Sequence, residues 1–166
     1  MNRRLFLAAL PAALVAGCGF QLRRLDGIPF ANLYLAAPSG SVVGQRIRNT
    51  LISSKTTRLT ATPDQAEATL SIGPEERSKT ILSLSGAGRV TEYRLGLLLT
   101  YSITSRDGGV IAEPETIDLS RDLTYDDSQL LAKGAEEQLL YRDMEESATQ
   151  RILRRLRNLK PGNGAS

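Results

Sequence analysis

The chain has 166 residues, long enough for one domain around a single core, yet it contains no histidine and only one cysteine. That composition excludes an imidazole base, a histidine-containing triad, a histidine metal site, disulfides and zinc thiolate clusters. The formal charge of +3 owes two units to Arg3 and Arg4, so most of the chain is close to neutral and a nucleic-acid partner is not expected.

The N-terminus reads as an export signal. Arg3 and Arg4 precede a short apolar run from Leu5 to Val15, which is interrupted by Pro11 and too short to span a bilayer. Val15-Ala16-Gly17-Cys18 then matches a lipobox, in which small residues flank the cysteine that takes a lipid. The alternative is an ordinary signal peptide with an incidental cysteine. Asn2-Arg3-Arg4-Leu5-Phe6-Leu7 also resembles a twin-arginine export motif. Cleavage before Cys18 leaves 19 basic and 18 acidic residues, a net charge of +1. A diacylglycerol thioether plus an N-acyl group, as such lipoproteins carry, gives firm anchoring where one acyl chain would not. Gly19 follows the cysteine in place of the aspartate that retains enterobacterial lipoproteins at the inner membrane, which favours the outer membrane.

Residues 18–30 read as the lipidated tether, 31–160 as the folded domain and 161–166 as a disordered tail. Leu33 to Ala36 has the makings of a short strand, broken at Pro38-Ser39-Gly40. A helix is expected from about Ser41, with Ser39 or Ser41 as its cap and Val43, Ile47 and Leu51 on its apolar face. Lys55 to Arg58 closes that unit.

Alternation takes over from Ala68: Leu70 and Ile72 form one run, Pro74 to Lys79 interrupts, and Ile81 to Leu84 resumes. Gly86-Ala87-Gly88 between strand-like runs reads as a hairpin turn, not a phosphate cradle. From Val90 to Thr104, Tyr93, Leu95, Leu97, Leu99, Tyr101 and Ile103 share one face of a half-buried strand. Such a strand spans about 50 Å at ~3.3 Å per residue, so it either bends at Gly96 or projects beyond its helices. Arg106-Asp107-Gly108-Gly109 signals a second hairpin. The return strand, Val110 to Tyr125, carries Arg121 on the face of its alternating Ile117, Leu119 and Leu123, open to an ion pair or an interface role. Pro114 demands a bulge or an edge.

A long helix starts at Leu130 or Ala135 and runs to Leu159, with Leu140, Met144, Ala148, Ile152 and Leu156 recurring every fourth residue as core. Glutamates fill its first half; Arg151, Arg154, Arg155, Arg157 and Lys160 crowd the second, complementing the dipole. That cluster reads as a solvated face, with a membrane contact as the alternative. The expected class is α+β: an antiparallel sheet of about four long strands packed by two helices, in the order β-α-β-β-β-α.

Three segments resemble the LptE family of lipopolysaccharide-assembly lipoproteins. Cys18-Gly19-Phe20-Gln21-Leu22-Arg23 is close to that family's cysteine-glycine-aromatic-x-leucine-arginine start. Thr91-Glu92-Tyr93 opens the central strand as an alanine- or threonine-glutamate-tyrosine does there. Tyr125-Asp126, Leu131-Ala132-Lys133, a downstream acidic stretch and Met144 resemble the beginning of its last helix. The resemblance covers nearly all of the chain after Cys18. It implies a non-enzymatic partner that complexes with and plugs the β-barrel LptD and assists delivery of lipopolysaccharide to the outer leaflet, without cofactor or metal.

It also implies site residues: Cys18 for lipidation, and Lys133, from the leucine-alanine-lysine motif, for lipopolysaccharide phosphate. A solvated lysine in a helix's first turn is the structural alternative. Arg89 and Arg94 flank the central hairpin, where the family carries basic character, although its loop arginine aligns with Gly86 and surface arginine is the alternative for both. The rival function is a stand-alone lipid-binding or transporter-auxiliary periplasmic lipoprotein. A periplasmic hydrolase would need a carboxylate pair that the sequence does not single out.

Overall fold

The computed structural model describes residues 27–159. Six strands and two helices follow in chain order: β1 (Asn32–Ala36), α1 (Val42–Ser54), β2 (Arg58–Leu59), β3 (Ala68–Ile72), β4 (Glu76–Leu84), β5 (Val90–Ser105), β6 (Val110–Thr124) and α2 (Leu130–Arg157). Short 3-10 turns precede β3 and α2. Residues 1–17, Cys18 and the 161–166 tail lie outside the described residues. The fold reaches back at least to Ile28 and Phe30, whose side chains are buried.

β5 is the axis of the sheet. β6 pairs with it antiparallel along nearly its whole length. The opposite edge is shared: β4 pairs with Val90–Leu98 and β3 with Tyr101–Ser105, both antiparallel. β3 and β4 are thus one long partner strand with a break at Gly73–Glu75. Gly73 donates its N–H to Thr100 O at 2.7 Å, and a Cβ at Gly73 would lie 3.1 Å from that oxygen, so the close approach favours glycine. Within the break the Glu75 carboxylate turns toward α1. It accepts from the backbone N–H groups of Val42 and Val43 and from the Ser41 hydroxyl, while Ser41 Oγ accepts from Gly44 N as the N-cap.

The α+β class, the single sheet and the two covering helices are as expected. The sheet is mixed, however: β1 runs parallel to both β2 and β3, because α1 returns the chain to the same end before β2 and β3 begin. β2 is a two-residue strand too short to leave an alternating signal. The expected break at Pro74–Lys79 ends at Glu75, since Glu76 already belongs to β4.

Core and surface follow the alternation of β5. Leu95, Leu97, Leu99, Tyr101 and Ile103 are buried beneath the helices, whereas Arg94, Leu98 and Thr100 are exposed on the bare face. α1 contributes Val43, Ile47 and Leu51; α2 contributes Met144, Ala148, Ile152, Leu153 and Leu156. The ladder through Gly96 is continuous on both sides, so β5 does not bulge there. The sheet instead projects past its helices: Ile81, Leu82 and Leu84 at the end of β4 are exposed. Pro114 satisfies both expectations, lying on an edge strand where Glu113 and Pro114 together face Ser102 in a bulge.

The two hairpin turns share one geometry. In Ser85–Arg89 and Ser105–Gly109, the first residue's N–H donates to the fifth residue's carbonyl, at 2.7 and 2.8 Å. The fourth residue of each, Gly88 or Gly108, has positive φ, 76° or 84°. A three-residue loop closing on such a position needs glycine there. These turns mark the two ends of a sheet about 50 Å long at ~3.3 Å per residue.

Candidate functional site

Of the sequence-derived site residues, Lys133, Arg89 and Arg94 lie at the end of the sheet that carries the Ser85–Arg89 turn. α2 begins there. Its contacts then step down the sheet: Glu137 meets Lys79, Tyr141 donates to Ser78 O, Asp143 pairs with Arg121, and Arg151 pairs with Glu115.

Lys133 lies in the first turn of α2 with its side chain largely covered, and its ammonium donates to Glu136 Oε2 at 2.8 Å. Arg94 projects from the bare face of the sheet and grips Asp122 with two hydrogen bonds, 2.8 and 3.1 Å. The Asp122 carboxylate raises the Arg94 pKa, and the guanidinium holds Asp122 below the usual carboxylate range. Arg89 ends the turn; its N–H donates to Ser85 Oγ and its guanidinium has no ion-pair partner among the described residues. The three cations therefore share one end of the molecule without converging. α2 covers the face of β5 opposite to Arg94, which puts Lys133 and Arg94 on opposite sides.

Exposed large apolar side chains belong to the same end of the molecule. Leu131 is 91% exposed, and Leu130, Leu139, Ile81 and Leu84 are also exposed. Leu131, Ala135 and Leu139 follow at spacings of four, so they share one side of α2, away from the buried Tyr141 and Met144. Exposed leucines of this kind beside cations suit an amphiphile with anionic groups and apolar chains.

Lys79 is the residue that sequence reading missed. Its ammonium lies 2.6 Å from Glu137 Oε2 and 4.4 Å from the centre of the Tyr93 ring. Tyr93 and Tyr125 meet edge to face at 5.1 Å. The Glu137 hydrogen bond raises the Lys79 pKa against the opposing effect of burial. Only the pairing of Lys79 with Leu95 puts it on the helix-facing side.

A second missed group lies mid-sheet. Glu145 is buried on α2, and Arg46 of α1 and Arg77 of β4 both pair with it. Arg121, read as facing inward, forms a half-exposed ion pair with Asp143. Of the α2 arginines, Arg151 holds Glu115, while Arg154, Arg155 and Arg157 make no ion pair among the described residues. Cys18 lies outside the described residues. Among those residues no cluster of His, Cys, Asp and Glu is arranged to hold a metal, and no helix is long and apolar enough to cross a membrane.

A family model described as "LptE: Lipopolysaccharide-assembly" matches residues 23–156. The chain is 26% identical over 152 residues to the LPS-assembly lipoprotein LptE of Photorhabdus laumondii, covering 90% of this chain and 82% of that protein. It is 27% identical over 163 residues to the LPS-assembly lipoprotein LptE of Pectobacterium atrosepticum, covering 94% and 86%. In structure it is similar to the solution structure of uncharacterized lipoprotein B from Nitrosomonas europaea. There the TM-score is 0.73 at 34% identity, over 84% of this chain and 90% of the other.

Proposed function

The chain belongs to the LptE family of lipopolysaccharide-assembly lipoproteins, and from that premise we propose that it complexes with and plugs the LptD β-barrel and assists lipopolysaccharide assembly at the outer membrane surface. The observation that carries this reading is a family match that runs from Arg23 to Leu156, almost the whole folded domain. The work is binding, with no covalent step.

Three features support it. The Cys18 lipobox supplies the attachment to the outer membrane, with the domain on the periplasmic side and partly within the barrel. On either side of Gly96 the bare face of the sheet carries the short side chains of Ser78, Thr80, Thr100, Thr116 and Ser120, among which stand Leu98 and the Arg94–Asp122 pair, and this face is the one left open to pack against a barrel wall. The Ser85–Arg89 end offers cations beside exposed leucines, as lipid A phosphates and acyl chains require.

The candidate lipopolysaccharide contacts differ in readiness. Arg89 is free of ion pairs among the described residues. Lys133 must leave Glu136, a partly solvated pair worth about 0.3–0.5 kcal/mol. Arg94 must break a two-pronged pair and serves last.

The test is a detergent pull-down from native outer membranes. Recovery of LptD with the lipidated chain is expected. An ATP-driven transporter as the stable partner would replace this reading with that of a transporter-auxiliary lipoprotein.

A further inference from the structure

Charge is distributed unevenly along the long axis of the sheet. At the end carrying the Arg106–Gly109 turn, six cations collect: Lys55, Arg58, Arg106, Arg154, Arg155 and Arg157. Their positions fix this. Arg58 pairs with Asn32, the first residue of β1, and Arg106 donates to Ala66 O at 2.9 Å, beside Ala68 and its partner Ser105. Lys55 caps the C-terminus of α1, and the three arginines fill the last turn of α2 beyond Arg151. None of the six forms an ion pair among the described residues.

Four acids share this end: Asp64, Glu67, Asp107 and Glu113. Two are engaged, Glu67 by Ala31 N–H and Asp107 by the Ser105 hydroxyl. The opposite end is the reverse, with Glu92, Asp122, Asp126, Asp127, Glu136 and Glu137 against Lys79, Arg89, Arg94 and Lys133. There three of the four cations are paired.

The cationic end is also where the described chain begins. Gly27 stands nine residues after Cys18, so a fully extended tether reaches at most about 30 Å. In sequence Arg23 and Arg24 lie within that tether, and Lys160 follows α2. The length of the tether fixes no orientation by itself, whereas charge attraction acts only within a Debye length of about 8 Å. Unpaired cations beside a lipid anchor are what an anionic bilayer surface holds, each strengthening adsorption by roughly fivefold.

We propose that, before the domain enters its barrel, the Lys55, Arg58, Arg106 and Arg154–Arg157 end rests on anionic glycerophospholipid headgroups of the leaflet that holds the anchor, standing the sheet upright with the Ser85–Arg89 turn farthest from that surface. The inference relies on the lipid anchor of the proposed function. It concerns a different surface from the lipopolysaccharide contacts. Exposed Ile52 and Val110 flank the same end and add apolar contact with the interface.

The experiment uses the full lipidated chain carrying Ala87→Cys at the tip of the Ser85–Arg89 turn, which becomes its only free thiol. A donor dye there reports energy transfer to an acceptor lipid in phosphatidylcholine vesicles, with and without phosphatidylglycerol. Transfer falls when phosphatidylglycerol is present and recovers in high salt, because the tip moves away from the bilayer only when the basic end is held. The triple variant Arg154→Gln, Arg155→Gln, Arg157→Gln loses most of that response. Arg142→Gln, on the same helix but away from this end, keeps it. The intact mass of the same sample comes first: a chain without lipid on Cys18 overturns the anchor and this orientation together. A lipidated chain whose transfer ignores phosphatidylglycerol, or whose triple variant responds in full, overturns the orientation alone.

Discussion

The Lys79 ammonium on β4 sits 2.6 Å from the Glu137 carboxylate on α2, tying an exposed edge strand to the covering helix. β4 has few other holds on the helices. Both side chains are partly solvated, at 35% and 22% exposure, so the pair is a modest one. A double-mutant cycle with Lys79→Met and Glu137→Gln should give a coupling of about 0.5–1 kcal/mol in chemical denaturation, the Lys79–Tyr93 contact cancelling within the cycle. Zero coupling would mean that this pair adds nothing to the ladder with β5, the Tyr141–Ser78 hydrogen bond and the Arg77–Glu145 pair that also hold the strand.

Glu145 is the costliest polar group to disturb. It is buried where α1, α2 and β4 meet, and it is compensated by Arg46 and Arg77, which remain in contact with water. Glu145→Ala removes the carboxylate that both arginines approach. The loss should be about 2–3 kcal/mol, below the fully buried case because the arginines can re-solvate. Glu146→Ala, on the exposed neighbour, should cost under about 0.5 kcal/mol. Equal losses from the two variants in urea denaturation would refute the assignment.

The pH profile should be flat through neutrality. Without histidine, no side chain has an ordinary pKa between about 5 and 8. The hydrogen bond from the Tyr101 hydroxyl, with help from Arg151, holds Glu115 below its usual range; Arg94 does the same to Asp122, and Ser128 to Asp126. Groups with lowered folded pKa values stabilise above their unfolded values, and that stability is lost as pH falls through the folded ones. Tyr101 is shifted the other way, raised by burial and by Glu115, so its contribution disappears only in strong alkali. The midpoint of thermal unfolding should therefore hold steady from about pH 5.5 to 8 and fall below about pH 4. A transition near pH 6.5 would contradict this.

Lys133→Glu separates contact from structure. The substitution loses the Glu136 pair but places an acid in the first turn of α2, where the helix dipole favours it. Loss of the pair and repulsion from Glu136 and Glu137 cost about 0.3–0.5 kcal/mol each while the dipole returns about 0.3–1 kcal/mol, so the melting temperature should fall by no more than a few degrees. Lipopolysaccharide binding by the variant should weaken. Parallel loss of binding and stability would make the position structural.

Much of this architecture was legible in sequence where one face of an element is buried and the other wet. β5 is the clearest instance, since Leu95 through Ile103 alternate without exception at the buried positions. α1 was capped at Ser41 as anticipated, and α2 runs from the earlier of its two anticipated starts, Leu130. β4 was half hidden because its first residues, Glu76 to Lys79, are polar on both faces. Arg77 and Lys79 face the helices but meet carboxylates there, so no alternation marks them. The parallel pairing of β1 was hidden for another reason. Strand direction depends on where α1 returns the chain, which periodicity does not encode. At the candidate site, the residue types were readable but their partners were not: Lys133, Arg94 and Lys79 each meet an acid 3 to 58 positions away.

The most direct measurement of the central claim is lipopolysaccharide at the cell surface during depletion of this chain. Surface lipopolysaccharide should fall as the chain is lost and return when it is supplied again, but not when a Cys18→Ala form is supplied. Undiminished surface lipopolysaccharide after complete depletion would contradict a role in its assembly.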